Sequence, residues 1–137
     1  MINVLGGIDT TSAALTAERI RMNVVTQNIA NANTVRGIDG KPYQRQQVVF
    51  ESVLRDQMMG SGMPAGQQSI RVARVENDNR PPRIVYDPHR GPIEMPAINI
   101  YEEMVDMVTS SRTFEANLSV MKTSRMMAMQ TLAIGKR

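Results

Sequence analysis

Apolar residues recur at every seventh position near the start of this chain, and at alternating steps of three and four near its end. Ile8, Leu15, Met22 and Ile29 form the first series. Met104, Met107, Ser111, Phe114, Leu118, Met121, Arg125, Ala128 and Leu132 form the second. Such spacing places each set on one narrow stripe of a helix, which is the seam of a coiled coil. Matching seams at the two ends are expected to pair with each other and with neighbouring molecules. The expected fold is mainly α with a small β region: long N- and C-terminal helices pairing as a coiled coil, and a short β-containing middle.

The residue inventory favours an interface over a compact globular core. Among 137 residues there are no Trp, two Phe, three Tyr and twelve Met. Aromatic residues dominate core energetics, whereas Met is an adaptable filler of helix contacts. Half of the methionines fall between Met104 and Met129, so the bias belongs to the last helix. The net charge of +3 is spread over interleaved acids and bases, with no basic run beside an aromatic platform. Nucleic acid is therefore not an expected partner. With no Cys, disulfides and thiolate metal sites are excluded. No apolar run approaches the roughly 20 residues of a membrane span, so the chain is expected not to be membrane-spanning. The start lacks the pattern of a cleaved signal peptide, and any export is expected to proceed without one.

Three segments follow. Residues 1–34 are expected to hold the first helix, from about Thr10 to Ala32, with Gly6-Gly7 leaving its first turns undefined. Asp9 then suits the positive helix end, and Asn31–Asn33 a left-handed cap. Residues 35–98 read as a small β-containing outer region. Strand-like runs lie at Gln44–Phe50, Ile70–Val72 and Arg83–Tyr86, with a flexible loop at 57–69. Pro88, Pro92 and Pro96 are expected to prevent regular structure before the last helix. Residues 99–137 hold the last helix, from Ile100 to about Ile134, with Asn99 and Glu102 as a capping box. Basic residues at Arg125, Lys136 and Arg137 suit its far end.

Within these segments the run Asn28-Ile29-Ala30-Asn31-Ala32-Asn33-Thr34 closes the first helix. Glu102-Glu103-Met104-Val105, Ser111-Arg112-Thr113-Phe114-Glu115-Ala116-Asn117 and Leu132-Ala133-Ile134-Gly135 mark the last. Together with Arg80-Pro81-Pro82-Arg83-Ile84-Val85-Tyr86-Asp87-Pro88, they resemble the motifs of bacterial flagellar rod and hook proteins, and among these the proximal-rod subunits. The resemblance spans nearly the whole chain. It departs where Asp87-Pro88-His89-Arg90-Gly91-Pro92 leads almost directly to Asn99, in place of a longer acidic loop.

The resemblance implies a structural subunit of the basal-body rod in the periplasm, exported uncleaved through the flagellar type III apparatus. Implied partners are copies of the chain, other flagellar rod proteins, and membrane-ring and export-gate components at the rod base. Other axial or type III secretion components, and a basic nucleic-acid-binding helical protein, are the alternatives.

The expected assembly seam comprises Ile8, Leu15, Met22 and Ile29 with Met104, Met107, Phe114, Leu118, Met121 and Leu132. Ser111 and Arg125 interrupt it, either setting register or lying at its solvated margin. Asn28, Asn31 and Asn33 either bond between subunits or cap the helix locally, and Glu115 and Asn117 either bridge helices or sit exposed. His89 stands alone in a Pro-rich loop as a surface residue. Glu102 and Glu103 point apart on a helix, and their place in the first turn is explained by the helix dipole. No catalytic set, cofactor motif, metal-ligand spacing or small-molecule site appears. An enzyme is not expected.

Overall fold

Helix α1 (Val4–Ala30) is followed by strands β1 (Gln46–Leu54), β2 (Gln68–Asn77), β3 (Arg83–Asp87) and β4 (Gly91–Met95), and then by helix α2 (Ile100–Ile134). These elements come from a computed structural model that describes residues 4–54 and 68–135. At 27 and 35 residues the helices are about 40 and 52 Å long at 1.5 Å per residue.

α2 starts and ends where the sequence places it. Asn99 holds an extended conformation, its Oδ1 accepts the Tyr101 amide at 3.1 Å, and its Nδ2 donates to Glu102 Oε1 at 3.2 Å. The capping box is thus closed through the Asn99 side chain. No basic residue lies in the last turn, since Arg125 is further back and Lys136 and Arg137 are outside the described residues.

α1 begins earlier than the glycine pair suggests. It runs straight through Gly6-Gly7, and the Gly7 carbonyl accepts the hydroxyls of Thr10 (3.0 Å) and Thr11 (2.7 Å). Asp9 consequently lies beyond the first turn. The end of α1 also differs from expectation. Among the described residues no non-glycine residue has a positive φ, so no Asn adopts the left-handed cap. Instead the chain tightens into turns, with the Ala32 amide on Ile29 O and the Thr34 amide on Asn31 O. Asn31 closes this turn locally, donating to Gln27 O and accepting from Thr34 Oγ1.

The middle holds two separate two-stranded antiparallel sheets, β1–β2 and β3–β4. β1 pairs with β2 from Gln46 opposite Asn77 to Leu54 opposite Gln68. The register slips at Val49/Phe50, where Ala73 is the extra residue of a bulge. Gln68 and Ser69, expected in the loop at 57–69, belong to β2; residues 57–67 lie outside the described residues. Beyond Pro88, regular structure does form. Asp87 Oδ1 accepts the amides of His89 and Arg90, Pro88 follows Asp87, and Gly91 takes φ 79°. These are the requirements of a tight hairpin turn closed by a left-handed residue. Pro92 lies within β4, opposite Tyr86, and a two-stranded edge tolerates its missing N–H.

α2 packs on α1, and α1 also packs on β1 and β2. The buried apolar set is small: Ala17, Val24, Val25, Ala32 and Ile98. The molecule exposes 10636 Å² at 15.3 kDa, against roughly 7,100 Å² for a compact monomer of that mass. Much of its apolar surface has no cover inside the subunit.

Candidate assembly interface

Two cross-links fix how the helices lie. Arg21 pairs with Asp106 by a short ion pair, and Asn28 Nδ2 donates to Glu103 Oε2 at 3.0 Å. Residue numbers rise along α1 as they fall along α2, so the helices are antiparallel. One turn beyond Arg21 and Asp106 this direction brings Ala17 to the level of Ser110, and both are buried. Small side chains at that point permit close approach.

Burial along α2 follows a three-four rhythm of its own. Glu103 and Ser110 are buried, and Met107, Phe114, Asn117, Met121, Ser124 and Ala128 are half-buried. The series Met107, Phe114, Met121 and Ala128 is the one expected from the sequence. Its companion is shifted by one residue, to Glu103, Ser110, Asn117 and Ser124. The covered stripe is therefore apolar along one edge and polar along the other. Of the residues named for the seam, Leu118 is half-buried, but Met104 is 51% and Leu132 70% exposed. On α1, Ile8, Leu15, Met22 and Ile29 are all half-buried, flanking the buried line of Ala17, Val24 and Asn28. Ser111 is half-buried and Arg125 exposed.

A polar knot ties both helices to the β region. Asn28 is 1% exposed. Its Oδ1 accepts the Gln46 amide at 2.9 Å and the Tyr43 hydroxyl at 3.2 Å, and its Nδ2 donates to Gln46 O at 2.8 Å. Glu103, also 1% exposed, accepts Arg45 Nε on Oε1 at 2.6 Å. Arg45 reaches on to Asp78 Oδ2 at 3.4 Å, and Asp78 accepts Arg80 Nε at 2.7 Å. Burial, and then the Glu103 charge, raises the Tyr43 phenol above its usual value. The hydrogen bond from Arg80 is the main cause holding Asp78 below its usual value.

Glu103 corrects the dipole account of the Glu102-Glu103 pair. Glu102 stays exposed at the cap, whereas Glu103 is a buried ion-pair partner. Its phase with Ser110, Asn117 and Ser124 is the one sequence signal that it faces inward. Arg45, Tyr43 and Ser110 carried no signal of their own.

The remaining motif residues separate by depth. Ala32 is buried and Asn31 and Thr34 are half-buried, while Ala30, Asn33, Glu115 and Ala116 are exposed. His89 is exposed. Among the described residues no cluster of His, Cys, Asp or Glu has metal-holding geometry, and no helix is long and apolar enough to cross a membrane.

What remains on the outside of α2 is large and apolar. Met104, Val105, Val108, Val120, Met126, Met127, Met129, Leu132 and Ile134 are each more than half exposed. A run of this size along one helix marks a surface made for other chains.

Comparison with known proteins agrees with that geometry. Residues 8–36 match the family model "Flagella basal body rod protein", and residues 89–134 match "Flagellar basal body rod FlgEFG protein C-terminal". The flagellar basal-body rod protein FlgC of Borreliella burgdorferi is 37% identical, with 97% of this chain and 98% of the relative covered. The chain belongs to the FlgC family of flagellar basal-body rod proteins. FlgC of Bacillus subtilis is also 37% identical over 94% of this chain and 96% of the relative, and FlgC of Escherichia coli O6:H1 34% over 97% and 98%. As a family member the chain is a structural subunit of the flagellar basal-body rod. The two matched segments hold most of α1 and all of α2, the elements the polar knot joins.

Proposed function

We propose that the subunit polymerises through its terminal helices into the proximal rod, the driveshaft that carries torque from the membrane ring to the hook. In this reading residues 1–34 and 99–137 form a coiled-coil wall and residues 35–98 an outer region. The observation that carries it is the exposed apolar length of α2. The nine large side chains from Met104 to Ile134 keep at least half their surface in water. Full burial of such a side chain is worth about 1.5–3 kcal/mol, so covering the rest would contribute roughly 7–14 kcal/mol before ordering entropy. Surfaces that are not self-complementary make heterologous contacts, and these propagate as rings or open helical arrays.

The same reading places the chain in the periplasm after export without a cleaved signal. Its neighbours are copies of itself, other rod proteins, and ring and export-gate components at the rod base.

Leu118→Asp tests the wall. It puts a charge on the half-buried flank of α2 and is expected to prevent incorporation into isolated basal bodies and to abolish swimming. Reversing the charge of exposed Arg36 is expected to leave both largely intact. Normal motility with Leu118→Asp, at wild-type protein levels, overturns the proposal.

A further inference from the structure

Both sheets of the middle region are two-stranded, so each of their strands has an outer edge. Hydrogen bonding shows which residues lie on the edge of β1. The Asp78 N–H donates to Arg45 O at 2.7 Å, so Arg45 turns its backbone toward the β2 side. Gln46 therefore turns away, and Asn28 bonds both its N–H and its C=O from the outer side. In an antiparallel pair this direction alternates residue by residue. The bulge residue belongs to β2, so the alternation along β1 is unbroken. Val48, Phe50 and Ser52 then carry the N–H and C=O groups of the outer edge, and Asn28 fills only its first rung.

On β3 the edge follows from Pro92. Proline has no N–H, yet it lies opposite Tyr86 in a pairing that continues to Asp87 and Gly91. Tyr86 and Pro92 thus form a pair whose backbone groups point outward, and Ile84 has the same phase. Pro92 blunts the β4 edge, whereas the β3 edge has no such guard. Among the described residues neither strand packs on a helix or on the other sheet. A two-stranded hairpin left alone in water is only marginally stable. Ile84 and Tyr86 stand on one face of it, 71% and 76% exposed.

The two edges match in one register. Antiparallel pairing of Ile84 with Phe50, and of Tyr86 with Val48, joins outward groups to outward groups. The same register sets Val85 opposite Val49. It also sets Arg83 opposite Glu51, which would then lie between Arg83 and the Arg71 of its own β2. Opposed residues share a face of a sheet, so Ile84 and Tyr86 would join Val48 and Phe50. Beside those two lies a groove of about 370 Å³, closed on its far side by Val24 and Val25 of α1. A shift by one residue opposes outward to inward groups, and a shift by two takes Arg83 off Glu51. Among the described residues β1 and β3 do not touch within the subunit, so the added strand must come from another molecule.

We propose that β3 of one copy adds to the outer edge of β1 of the next, giving a four-stranded antiparallel sheet that spans two subunits. Its order is β2 and β1 of one copy, then β3 and β4 of its neighbour. The two edges differ, so the contact is heterologous and repeats along an array. It rests on the rod reading only in setting copies side by side.

The chain has no Cys, which makes an engineered cross-link specific. Val49 and Val85 would oppose each other without mutual hydrogen bonds, with Cα atoms about 4.5 Å apart, within the span of a disulfide. With Val49→Cys and Val85→Cys in one chain, mild oxidation of isolated basal bodies should give dimers and higher multiples of the subunit on gels. Each single variant should stay monomeric. A double variant that enters basal bodies and swims, yet stays monomeric, overturns the pairing and leaves the rod reading standing. Dimers from either single variant set a residue against its own copy and overturn the register.

If the double variant never reaches the basal body, a backbone test decides. Ile84→Pro removes an N–H that the hairpin does not use. It is expected to leave protein levels unchanged while excluding the subunit from basal bodies and stopping swimming. Ile84→Val keeps the N–H and should swim normally. Normal swimming with Ile84→Pro overturns the proposal.

Discussion

Between Asn99 and Asp106, the inward polar side chains of α2 are held by groups on α1 and by Arg45, just before β1. Between Val120 and Ile134 the large side chains of the same helix, Met121 apart, face outward. The first stretch has its carboxylates assigned: Glu103 to Asn28 and Arg45, Asp106 to Arg21, and Glu102 to the Asn99 cap. The second presents Val120, Met126, Met127, Met129, Leu132 and Ile134 at 53–77% exposure. Polar groups buried inside a subunit demand their partners within it, because an unmet charge or donor is expensive. Apolar surface makes no such demand and can wait for a neighbour. The inward polar groups at the start of α2 are thus finished within the subunit, whereas the far end of the helix, like the outward Met104, Val105 and Val108, is not.

The comparison breaks most decisively at Glu103. Glu103→Leu leaves the Arg45 guanidinium in a mostly buried place with only the longer contact to Asp78, and leaves one Asn28 donor unmet. Loss of one partner of a buried pair costs about 3–5 kcal/mol, a large share of the stability of a chain this size. Urea unfolding of the isolated chain should show that loss. Arg45→Met combined with Glu103→Leu should recover part of it, since both members of the pair are then gone and Asp78 keeps Arg80. A Glu103→Leu chain as stable as the parent would mean that the first half of α2 is no more internally committed than the second.

The difference between the halves also explains what could be read from the sequence. The bounds of α2, its Asn99 cap and the flagellar motifs were legible because each rests on local chemistry or a contiguous run. The inward phase of Glu103 was not, because its cation lies 58 residues away in a segment with no periodic pattern. The apolar seam was drawn one residue off along one edge for a related reason. Sequence apolarity marks every surface that favours burial, including those facing other chains, so it favoured Met104 over Glu103. β4 was missed because Pro92 counts as a breaker in a central strand but not on the edge of a two-stranded hairpin. The early start of α1 was hidden by Gly6-Gly7, whose helix cost is about 1 kcal/mol each. Propagation of a long helix overrides a penalty of that size.

A smaller effect sharpens the comparison at the outer end of the polar knot. Asp78 is held below the ordinary aspartate value of 3.8, first by the Arg80 hydrogen bond and further by the charges of Arg80 and Arg45. A carboxylate with a lowered folded pKa contributes stability above its unfolded value and loses it as pH falls through the folded value. Acid should therefore loosen the β2–β3 turn from the helices below about pH 4. Asp78→Asn should flatten that acid limb while changing stability at pH 7 by less than about 1 kcal/mol, since the Arg80 partner is exposed. Stability measured between pH 2.5 and 7 checks both parts.

The smallest effect on the isolated chain belongs to the unfinished half. Met127 is 57% exposed, so Met127→Lys removes little that the subunit itself buries. Surface substitutions of this kind usually change stability by no more than about 0.5 kcal/mol, and Lys keeps good helix propensity. In the assembled rod the same position would place an ammonium among the neighbours' apolar side chains, a cost that recurs at every copy. The expected result is an unchanged urea midpoint for the purified chain, together with lost swimming and absence from isolated basal bodies. If instead the midpoint falls by as much as it does for Glu103→Leu, then Met127 is buried within the subunit and the division between the two halves of α2 fails.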